Sequence, residues 1–376
     1  MLLRIVISSM ITMMMLLFFV ICIVYAGIGH AQHNKSTNVI CYYVNSYGVS
    51  LAPPEQLDAN LCTHILYAFA NLNASGYLEY NRKIDIDEEM YKRVANLKTA
   101  NPELKILLSV AGDKHLFASV AANETTRENL AKSAVNFCKS YGFDGLDIDW
   151  ELPGRSDSDN FVLMLKDLRS ALDEENWLLT TAVYPYPSDG YNVAEIEKYA
   201  HMVHIMCYNY YGPWSSHTGH DSPLFASSLD SSYERGRLNI EASLRHWLDA
   251  GLSKEKINVG IPFYGRTFAL VDASEHGVHS PISGGGHPAT PSYKTVCTGF
   301  RNYTYVWDDE QKVPYMYQGK QWLSFENQRS IREKTKYIVS QNVGGIMIWQ
   351  IGLDDVAGDC GQKQALLRTV HEHLGK

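Results

Sequence analysis

The segment Asp144-Gly145-Leu146-Asp147-Ile148-Asp149-Trp150-Glu151 decides how this chain of 376 residues is interpreted. Apolar residues alternate with acidic ones at a period of two, and Gly142 precedes the run, so the pattern predicts a β-strand. The same period directs two sets of side chains to opposite faces of the strand, Asp147, Asp149 and Glu151 to one and Leu146, Ile148 and Trp150 to the other.

Three carboxylates on one face of a strand constrain its chemistry. A carboxylate that is removed from water needs a charged or hydrogen-bonding partner, or it takes up a proton. Repulsion between like charges this close should also raise the pKa of at least one of the three carboxyl groups. A protonated carboxylic acid beside an ionised carboxylate is the pair of groups that glycoside hydrolysis typically uses. The alternative is an acidic strand end that faces water or binds Ca²⁺, but a Ca²⁺ loop needs Gly and oxygen ligands at other spacings.

This octapeptide resembles the D-G-x-D-x-D-x-E signature of glycoside hydrolase family 18, the chitinases and chitinase-like proteins. The resemblance extends from about Val39 to the end of the chain. It implies a retaining, substrate-assisted mechanism in which no carboxylate of the enzyme attacks the sugar. Glu151 is then the general acid and Asp149 accepts the N–H of the substrate's 2-acetamido group. Asp147 is expected to lie behind Asp149 and to share a proton with it.

Further segments resemble family motifs. Met206-Cys207-Tyr208-Asn209 resembles M-x-Y-D, so Tyr208 is expected to orient the acetamido carbonyl. Asn209 replaces the family's Asp, which should lower the pKa of Glu151 relative to an Asp-bearing relative. Trp349, in a run resembling G-G-x-M-x-W, is the expected hydrophobic floor beneath the sugar. The remaining expected substrate-binding residues are Tyr42, Phe69, Ala111, Gly112, Asp113, Leu152, Met206, Asn209, Trp214, Tyr264 and Arg266.

Four further positions depart from the family pattern. Ser46, Asp113 and Leu152 stand where family members often have an aromatic residue, which predicts a weaker grip on long chitin chains. The alternative is that other aromatics, Tyr47, Trp307 or Tyr315, replace the missing platforms. Ala111 stands in place of a Gly, which matters only where that Gly needs a positive φ or close approach of the sugar.

Near-continuous apolar strands alternate with helical patterns, as in parallel βα units. The predicted strands cover residues 39–44, 64–70, 105–110, 144–151, 178–183, 204–208, 257–261 and 344–349, and the predicted helices include 88–99, 125–141 (with Thr125 or Thr126 as N-cap) and 159–172. Eight such units predict an α/β fold, a (β/α)₈ TIM barrel with its active site at the carboxyl ends of the strands. A small α+β insertion is expected at about 269–321, between strand seven and strand eight.

Residues 1–31 read as a signal peptide, followed by the catalytic domain at 32–376. The apolar stretch exceeds the about 7–15 residues typical of such leaders, so a signal anchor is the alternative. Sequons at Asn34, Asn73, Asn123 and Asn302 agree with a secreted, extracellular protein.

The chain has seven cysteines, of which Cys22 lies in the leader. The remaining six permit many pairings, and spacing alone does not choose between them. Resemblance to the family implies the disulfides Cys41–Cys62 and Cys297–Cys360. Cys138 and Cys207 then remain free, as small buried apolar residues.

The formal net charge is −8, and it becomes −9 without the leader, in which Arg4 is the sole charged residue. An acidic chain without basic runs is a poor candidate for nucleic acid. No metal or organic cofactor is implied, and no CxxC or His cluster has zinc spacing. The predicted function is an endo-acting chitinase, a monomer that binds chitin or chito-oligosaccharides. The alternatives are a catalytically silent chitinase-like lectin or growth factor and an endo-β-N-acetylglucosaminidase acting on N-glycans.

Overall fold

The computed structural model describes residues 37–44, 52–80, 82–87 and 89–374. The predicted leader, the sequon at Asn34 and the positions Ser46 and Tyr47 lie outside these residues. Among the helices that are described, none is both long and apolar enough to span a bilayer.

Eight parallel strands close into a barrel, which confirms the predicted fold. Numbered along the chain, they are β1 (Asn38–Val44), β2 (His64–Leu72), β4 (Lys105–Ala111), β5 (Gly145–Asp149), β6 (Leu178–Val183), β7 (Met202–Ile205), β8 (Ile257–Pro262) and β14 (Gly345–Trp349). The ring closes because β1 pairs with β14 on one side and with β2 on the other. A short strand, β3 (Leu78–Glu79), runs antiparallel to β2.

A second, antiparallel sheet is formed by the chain between β8 and β14. Its strands are β9 (Arg266–Leu270), β10 (Ile282–Gly285), β11 (Thr304–Asp308), β12 (Val313–Gln318) and β13 (Gln321–Ser324). They pair in the order β10-β9-β13-β12-β11. The ring of Trp322 packs against Phe268 and Tyr315 at centroid distances of 5.4 Å and 5.0 Å, so this sheet has an aromatic core of its own. The segment expected as an insertion, 269–321, falls within it.

The described helices are α1 (Met90–Ala95), α2 (Lys114–Ala122), α3 (Glu124–Tyr141), α4 (Ser158–Asp173), α5 (Val193–Tyr199), α6 (Ser232–Arg237), α7 (Ile240–Asp249), α8 (Tyr293–Gly299), α9 (Gln328–Ser340) and α10 (Ala365–Glu372). The helix expected at 88–99 is shorter, because the chain tightens into a 3₁₀ turn at Asn96–Thr99.

The predicted N-cap of α3 at Thr125 or Thr126 was wrong. Asn123 caps this helix, because its side chain accepts a hydrogen bond from the backbone N–H of Thr126 at 3.3 Å. The expected stop at Gly142 is confirmed, since this residue ends the helix in the left-handed conformation with φ 73°.

The strand predicted at 204–208 ends earlier, at Ile205. Two consecutive short-range hydrogen bonds, from Cys207 N to Ile205 O and from Tyr208 N to Met206 O, turn the backbone away from the sheet. Asn209 follows with φ 58°, a left-handed conformation that Asn tolerates better than most residues. The turn brings Tyr208 and Asn209 over the carboxyl end of the barrel.

The period of two in the strands separates two apolar layers. Ile40, Tyr42 and Met347 belong to a cluster inside the barrel, whereas the neighbours of Tyr42 belong to the layer between barrel and helices. Next to β5, Trp150 packs between Phe117 of α2 and Phe161 of α4, each at 5.4 Å between ring centroids. The predicted division of the acidic segment into an apolar outer face and an acidic inner face is therefore confirmed.

The disulfides Cys41–Cys62 and Cys297–Cys360 are both present. Cys138 and Cys207 are free and buried, and burial raises the pKa of each thiol to about 12. Asn123 and Asn302 are exposed, but glycosylation of the sequons stays a prediction.

Candidate active site

A cleft of about 1170 Å³ opens at the carboxyl ends of the barrel strands. Most of the residues predicted from the sequence line it. They are Phe69, Ala111, Gly112, Asp149, Glu151, Leu152, Met206, Tyr208, Asn209, Trp214 and Trp349. These residues come from five different strand ends or the loops that follow them and meet in one cavity, as expected for a barrel enzyme.

Five predicted residues do not line the cavity: Tyr42, Asp113, Asp147, Tyr264 and Arg266. Tyr42, Tyr264 and Arg266 contact residues that do, and Asp147 accepts a hydrogen bond from Tyr42. Asp113 has a different use, because its side chain accepts hydrogen bonds from the N–H groups of His115 and Leu116 at 2.9 Å and 3.1 Å and caps α2.

Asp147 is fully buried and accepts three hydroxyl hydrogen bonds. Its Oδ2 accepts from Tyr42 Oη and Ser109 Oγ, each at 2.7 Å, and its Oδ1 accepts from Thr180 Oγ1 at 2.6 Å. Ser109 and Thr180 are the residues paired with Asp147 on the flanking strands β4 and β6. A carboxylate inside the barrel is thus satisfied by donors from three other strands.

His204 is another polar neighbour of Asp147. Burial lowers the pKa of this imidazole to about 4, against the opposing effect of Asp147, so His204 is neutral near pH 7. The Asn258 amide lies 3.3 Å from Nδ1, and donation from Nδ2 of Asn258 leaves the proton on Nε2. That nitrogen faces Asp147 Oδ1 at 3.8 Å.

Asp149 is buried at the next inward position of β5. Its Oδ1 has no hydrogen-bond partner among the described residues. Burial raises the pKa of Asp149 well above its ordinary value, and the negative charges of Glu151 and Asp147 raise it further. A buried acceptor oxygen without a hydrogen bond costs free energy. A ligand in the cleft that supplies a donor would remove this cost.

Glu151 lies just beyond the end of β5, where the cleft opens to solvent. Protein atoms surround part of the side chain, and this desolvation raises the pKa of the carboxyl group. Tyr208 is buried close by, and burial, followed by the charges of Asp149 and Glu151, raises the pKa of its hydroxyl well above the usual value. The hydroxyl therefore stays protonated and remains a hydrogen-bond donor.

Asn209 is held by two residues from the loop after β8 and from β9. Its Oδ1 accepts a hydrogen bond from Tyr264 Oη at 2.7 Å and another from Nη2 of Arg266. The Arg266 guanidinium also contacts Asp221, Nε to Oδ1 at 3.4 Å, and lies over the Trp214 ring at 5.2 Å. Arg266 therefore supports the wall that carries Trp214, and Asp221 is a member of the site that sequence reasoning missed.

Aromatic rings form the deep end of the cleft. Trp349 stacks against Phe69 at 5.7 Å with an interplanar angle of 25°, and Tyr42 packs against Trp349 at 5.2 Å. Because Tyr42 also donates to Asp147, one buried ring joins the aromatic floor to the acidic strand.

The backbone tolerates the departure at Ala111, the last residue of β4. Ala111 pairs with Asp149 within the sheet and has no positive φ, so its backbone conformation does not require a Gly. The predicted replacements Trp307 and Tyr315 lie in the second sheet and do not line the cleft. Instead Tyr184, Tyr186 and Tyr233 line it, and their positions in irregular segments and a short helix gave no signal in the sequence.

Comparison with known proteins identifies the family. The model of glycosyl hydrolases family 18 matches residues 38–354. Mouse (Mus musculus) chitotriosidase-1 is 33% identical over 91% of this chain and 79% of its own. The crystal structure of Ostrinia furnacalis Group IV chitinase is 34% identical, with a TM-score of 0.86 over 90% of this chain and 100% of its own. Human YKL-39, a pseudo-chitinase with retained chitooligosaccharide binding properties, is 28% identical, with a TM-score of 0.84 over 90% and 100%. The chain belongs to glycosyl hydrolases family 18.

Proposed function

We propose that this protein is an endo-acting chitinase that hydrolyses β-1,4 linkages between N-acetylglucosamine units with retention at C1. One observation carries the proposal. Oδ1 of the buried Asp149 has no hydrogen-bond partner within the described part of the chain, and Asp149 stands between the hydrogen-bonded Asp147 and the cleft carboxyl of Glu151. An N–H group of the substrate supplies the missing donor, and the 2-acetamido group of N-acetylglucosamine carries such an N–H.

In the first step, protonated Glu151 gives its proton to the leaving glycosidic oxygen as the bond to C1 breaks. The carbonyl oxygen of the substrate's own acetamido group attacks C1 and forms an oxazolinium ion. Tyr208 donates its hydroxyl hydrogen bond to that carbonyl oxygen and orients it. Asp149 accepts the acetamido N–H through Oδ1 and stabilises the cation.

In the second step, ionised Glu151 takes a proton from water as the water attacks C1. The C1 bond to the acetamido oxygen breaks, and Glu151 regains the proton that it gave in the first step. Two displacements at C1 return the original configuration. The raised pKa of Glu151 suits both steps, because the group must be an acid first and a base afterwards.

We also propose that the protein is secreted and acts outside the cell. Two disulfides within the domain agree with an oxidising compartment, and the apolar stretch at 1–31 supplies a leader.

A second candidate is a chitin-binding lectin without turnover. It is favoured by the likeness to human YKL-39 and by the non-aromatic residues at Asp113 and Leu152. The intact acid Glu151 favours hydrolysis. Incubation with fluorogenic chitobioside and chitotrioside from pH 4 to 8 separates the two functions, because a lectin releases no fluorophore.

The change Glu151→Gln should lower kcat by about 10²–10⁴-fold, because the amide keeps the shape of the side chain but has no proton to transfer. Affinity for chito-oligosaccharides, measured by calorimetry, should change little. Glu174→Gln, an exposed position after α4, is the matched control and should keep full activity. An E151Q variant that retains half of the wild-type rate would contradict the assignment.

Hydrolysis should require a 2-acetamido group on the sugar that is cleaved, because the nucleophile comes from the substrate. Cello-oligosaccharides of equal length should be inert, and a thiazoline that mimics the cyclised intermediate should inhibit competitively. Product release measured by chromatography tests the first expectation, and inhibition of the fluorogenic assay tests the second. Cleavage of cello-oligosaccharides at a comparable rate refutes the substrate-assisted mechanism.

The cleft should bind long chitin chains more weakly than the cleft of a family member that has aromatic residues at the positions of Ser46, Asp113 and Leu152. Stacking of a sugar on an aromatic face is worth about 0.5–1.5 kcal/mol if aromatic-pair energies apply, so three missing faces cost about one to three powers of ten in affinity. We expect kcat/KM to level off beyond three sugars in a series of two to six. A steep rise with each added sugar would show that Tyr184, Tyr186 and Tyr233 act as replacement platforms.

A further inference from the structure

Lys334 of α9 is completely buried, and it does not line the cleft. Lysine is almost never buried unless its side chain is paired, because an ammonium group without partners is costly to remove from water. The partners of Lys334 therefore show which part of the molecule this residue holds in place.

The Nζ atom of Lys334 contacts two other residues. It donates a hydrogen bond to the backbone carbonyl oxygen of Ser222 and lies 3.2 Å from the hydroxyl oxygen of the same residue. It also contacts Oε1 of the buried Glu326, whose Oε2 accepts a hydrogen bond from Ser330 Oγ at 2.7 Å. Lys334 thus joins α9 and the chain after β13 to Ser222, in the irregular segment that follows β7.

Ser222 connects Lys334 to the turn that carries Tyr208. The Ser222 hydroxyl donates a buried hydrogen bond to the carbonyl oxygen of Cys207 at 2.7 Å. A hydroxyl has one proton, so Ser222 Oγ contacts Lys334 as an acceptor. Lys334 therefore acts on Cys207 through a single intervening residue.

The peptide plane between Cys207 and Tyr208 is bound at both of its polar atoms. Ser222 Oγ donates to its carbonyl oxygen, and its N–H group, which belongs to Tyr208, donates to the carbonyl oxygen of Met206 at 2.8 Å. Because a peptide unit is planar, it cannot rotate here without loss of a hydrogen bond. The orientation of this plane sets the direction in which the Tyr208 side chain leaves the backbone.

The other end of the turn is held by the residue next to Ser222. The N–H group of Tyr210 donates to the carbonyl oxygen of Asp221 at 3.1 Å, and the N–H group of Asp221 donates to Ser324 Oγ at 3.1 Å. Asn209, inside the turn, has φ 58°, a conformation that persists where the surroundings support it. Asp221 and Ser222 together therefore hold the turn at both ends.

We propose that Lys334 is a positioning residue for the hydrolysis proposed above, on which this inference rests. By holding Ser222, Lys334 fixes the peptide before Tyr208 and thereby the place of the Tyr208 hydroxyl, which orients the acetamido carbonyl of the substrate. A misplacement of about 1 Å caused far from the reacting atoms can lower a rate by about a hundredfold. The alternative is that the buried pair of Lys334 and Glu326 contributes to stability alone.

Replacement of both members of the pair separates positioning from stability. Lys334→Met alone leaves the Glu326 carboxyl group buried without its partner and should lower Tm. In the paired variant, Lys334→Met/Glu326→Met, two unbranched apolar side chains fill a similar space, so Tm should return towards the wild-type value. With fluorogenic chitotrioside, kcat of the paired variant should nevertheless stay about ten to a hundredfold below wild type, with little change in KM.

A double-mutant cycle with Tyr208→Phe shows whether the loss of rate depends on the Tyr208 hydroxyl. Once the hydroxyl is absent its position has no effect, so in the Tyr208→Phe background the paired change should lower kcat by less than about twofold. Ser222→Ala removes the link to the turn without replacing a charged residue. It should lower kcat in the same hydroxyl-dependent way, and it tests the proposal even where the paired variant does not fold.

Lys256→Met is the matched control. Nζ of Lys256 also donates to backbone carbonyl oxygens, those of Glu197 and Ala200, but Lys256 lies just before β8, at the end of the barrel opposite to the cleft. This change should lower Tm and leave kcat at the wild-type value, because no contact of Lys256 reaches the turn.

A wild-type kcat in the paired variant and in Ser222→Ala overturns the proposal, as does a loss of rate that is equally large in the Tyr208→Phe background. Crystal structures of the wild type and the paired variant give a reading without turnover. After superposition of the barrel strands, the Tyr208 hydroxyl should have moved by about 1 Å or more, and an unmoved hydroxyl also overturns the proposal. Absence of turnover in the wild type would instead refute the proposed function, and the two crystal structures would still decide whether Lys334 positions Tyr208.

Discussion

The acidic face of β5 depends on the hydrogen bonds around the buried Asp147. A charged group inside a barrel is tolerated only when its hydrogen bonds are complete. Tyr42, Ser109 and Thr180 complete them, and they come from β1, β4 and β6. The same bonds fix the rotation of β5 within the sheet. The positions of the two carboxyl groups that follow, Asp149 and Glu151, are consequences of that arrangement.

Three carboxyl groups of nearly identical chemistry thus acquire three environments along one strand. Asp147 is surrounded by hydroxyl donors, Asp149 is buried with one oxygen that no described residue hydrogen-bonds, and Glu151 reaches the open cleft. Environment rather than residue type distinguishes the three groups, and the roles that we propose for them depend on this difference. The aromatic floor depends on the same anchor, because Tyr42 contacts both Asp147 and Trp349.

Local patterns predicted most of the fold and the catalytic strand, because the period of two and the family motif are both contained in short segments. Contacts between distant segments were not predictable in this way. Nothing local marks Ser109 and Thr180 as partners of Asp147, and nothing local predicts the contact between Lys334 and Ser222, which lie 112 residues apart in the chain. Asp113 was expected in the cleft because of its position in a motif, but the N-terminus of a helix that had not been predicted uses its carboxylate.

The central claim is that the protein atoms around part of its side chain keep Glu151 protonated at a pH where a fully hydrated glutamate is ionised, because they remove water from the carboxyl group. The most direct measurement is the pH dependence of kcat/KM for chitotrioside, which reports the pKa of the free enzyme's essential acid. Because the raised pKa preserves the acid form, activity should fall only as the pH rises through a value above the ordinary pKa of about 4.3 for glutamate. The change Asn209→Asp adds a negative charge nearby, so in this variant the fall in activity should occur at a higher pH. If kcat/KM instead falls at the ordinary pKa of glutamate, and falls at the same pH in the Asn209→Asp variant, the claim is contradicted.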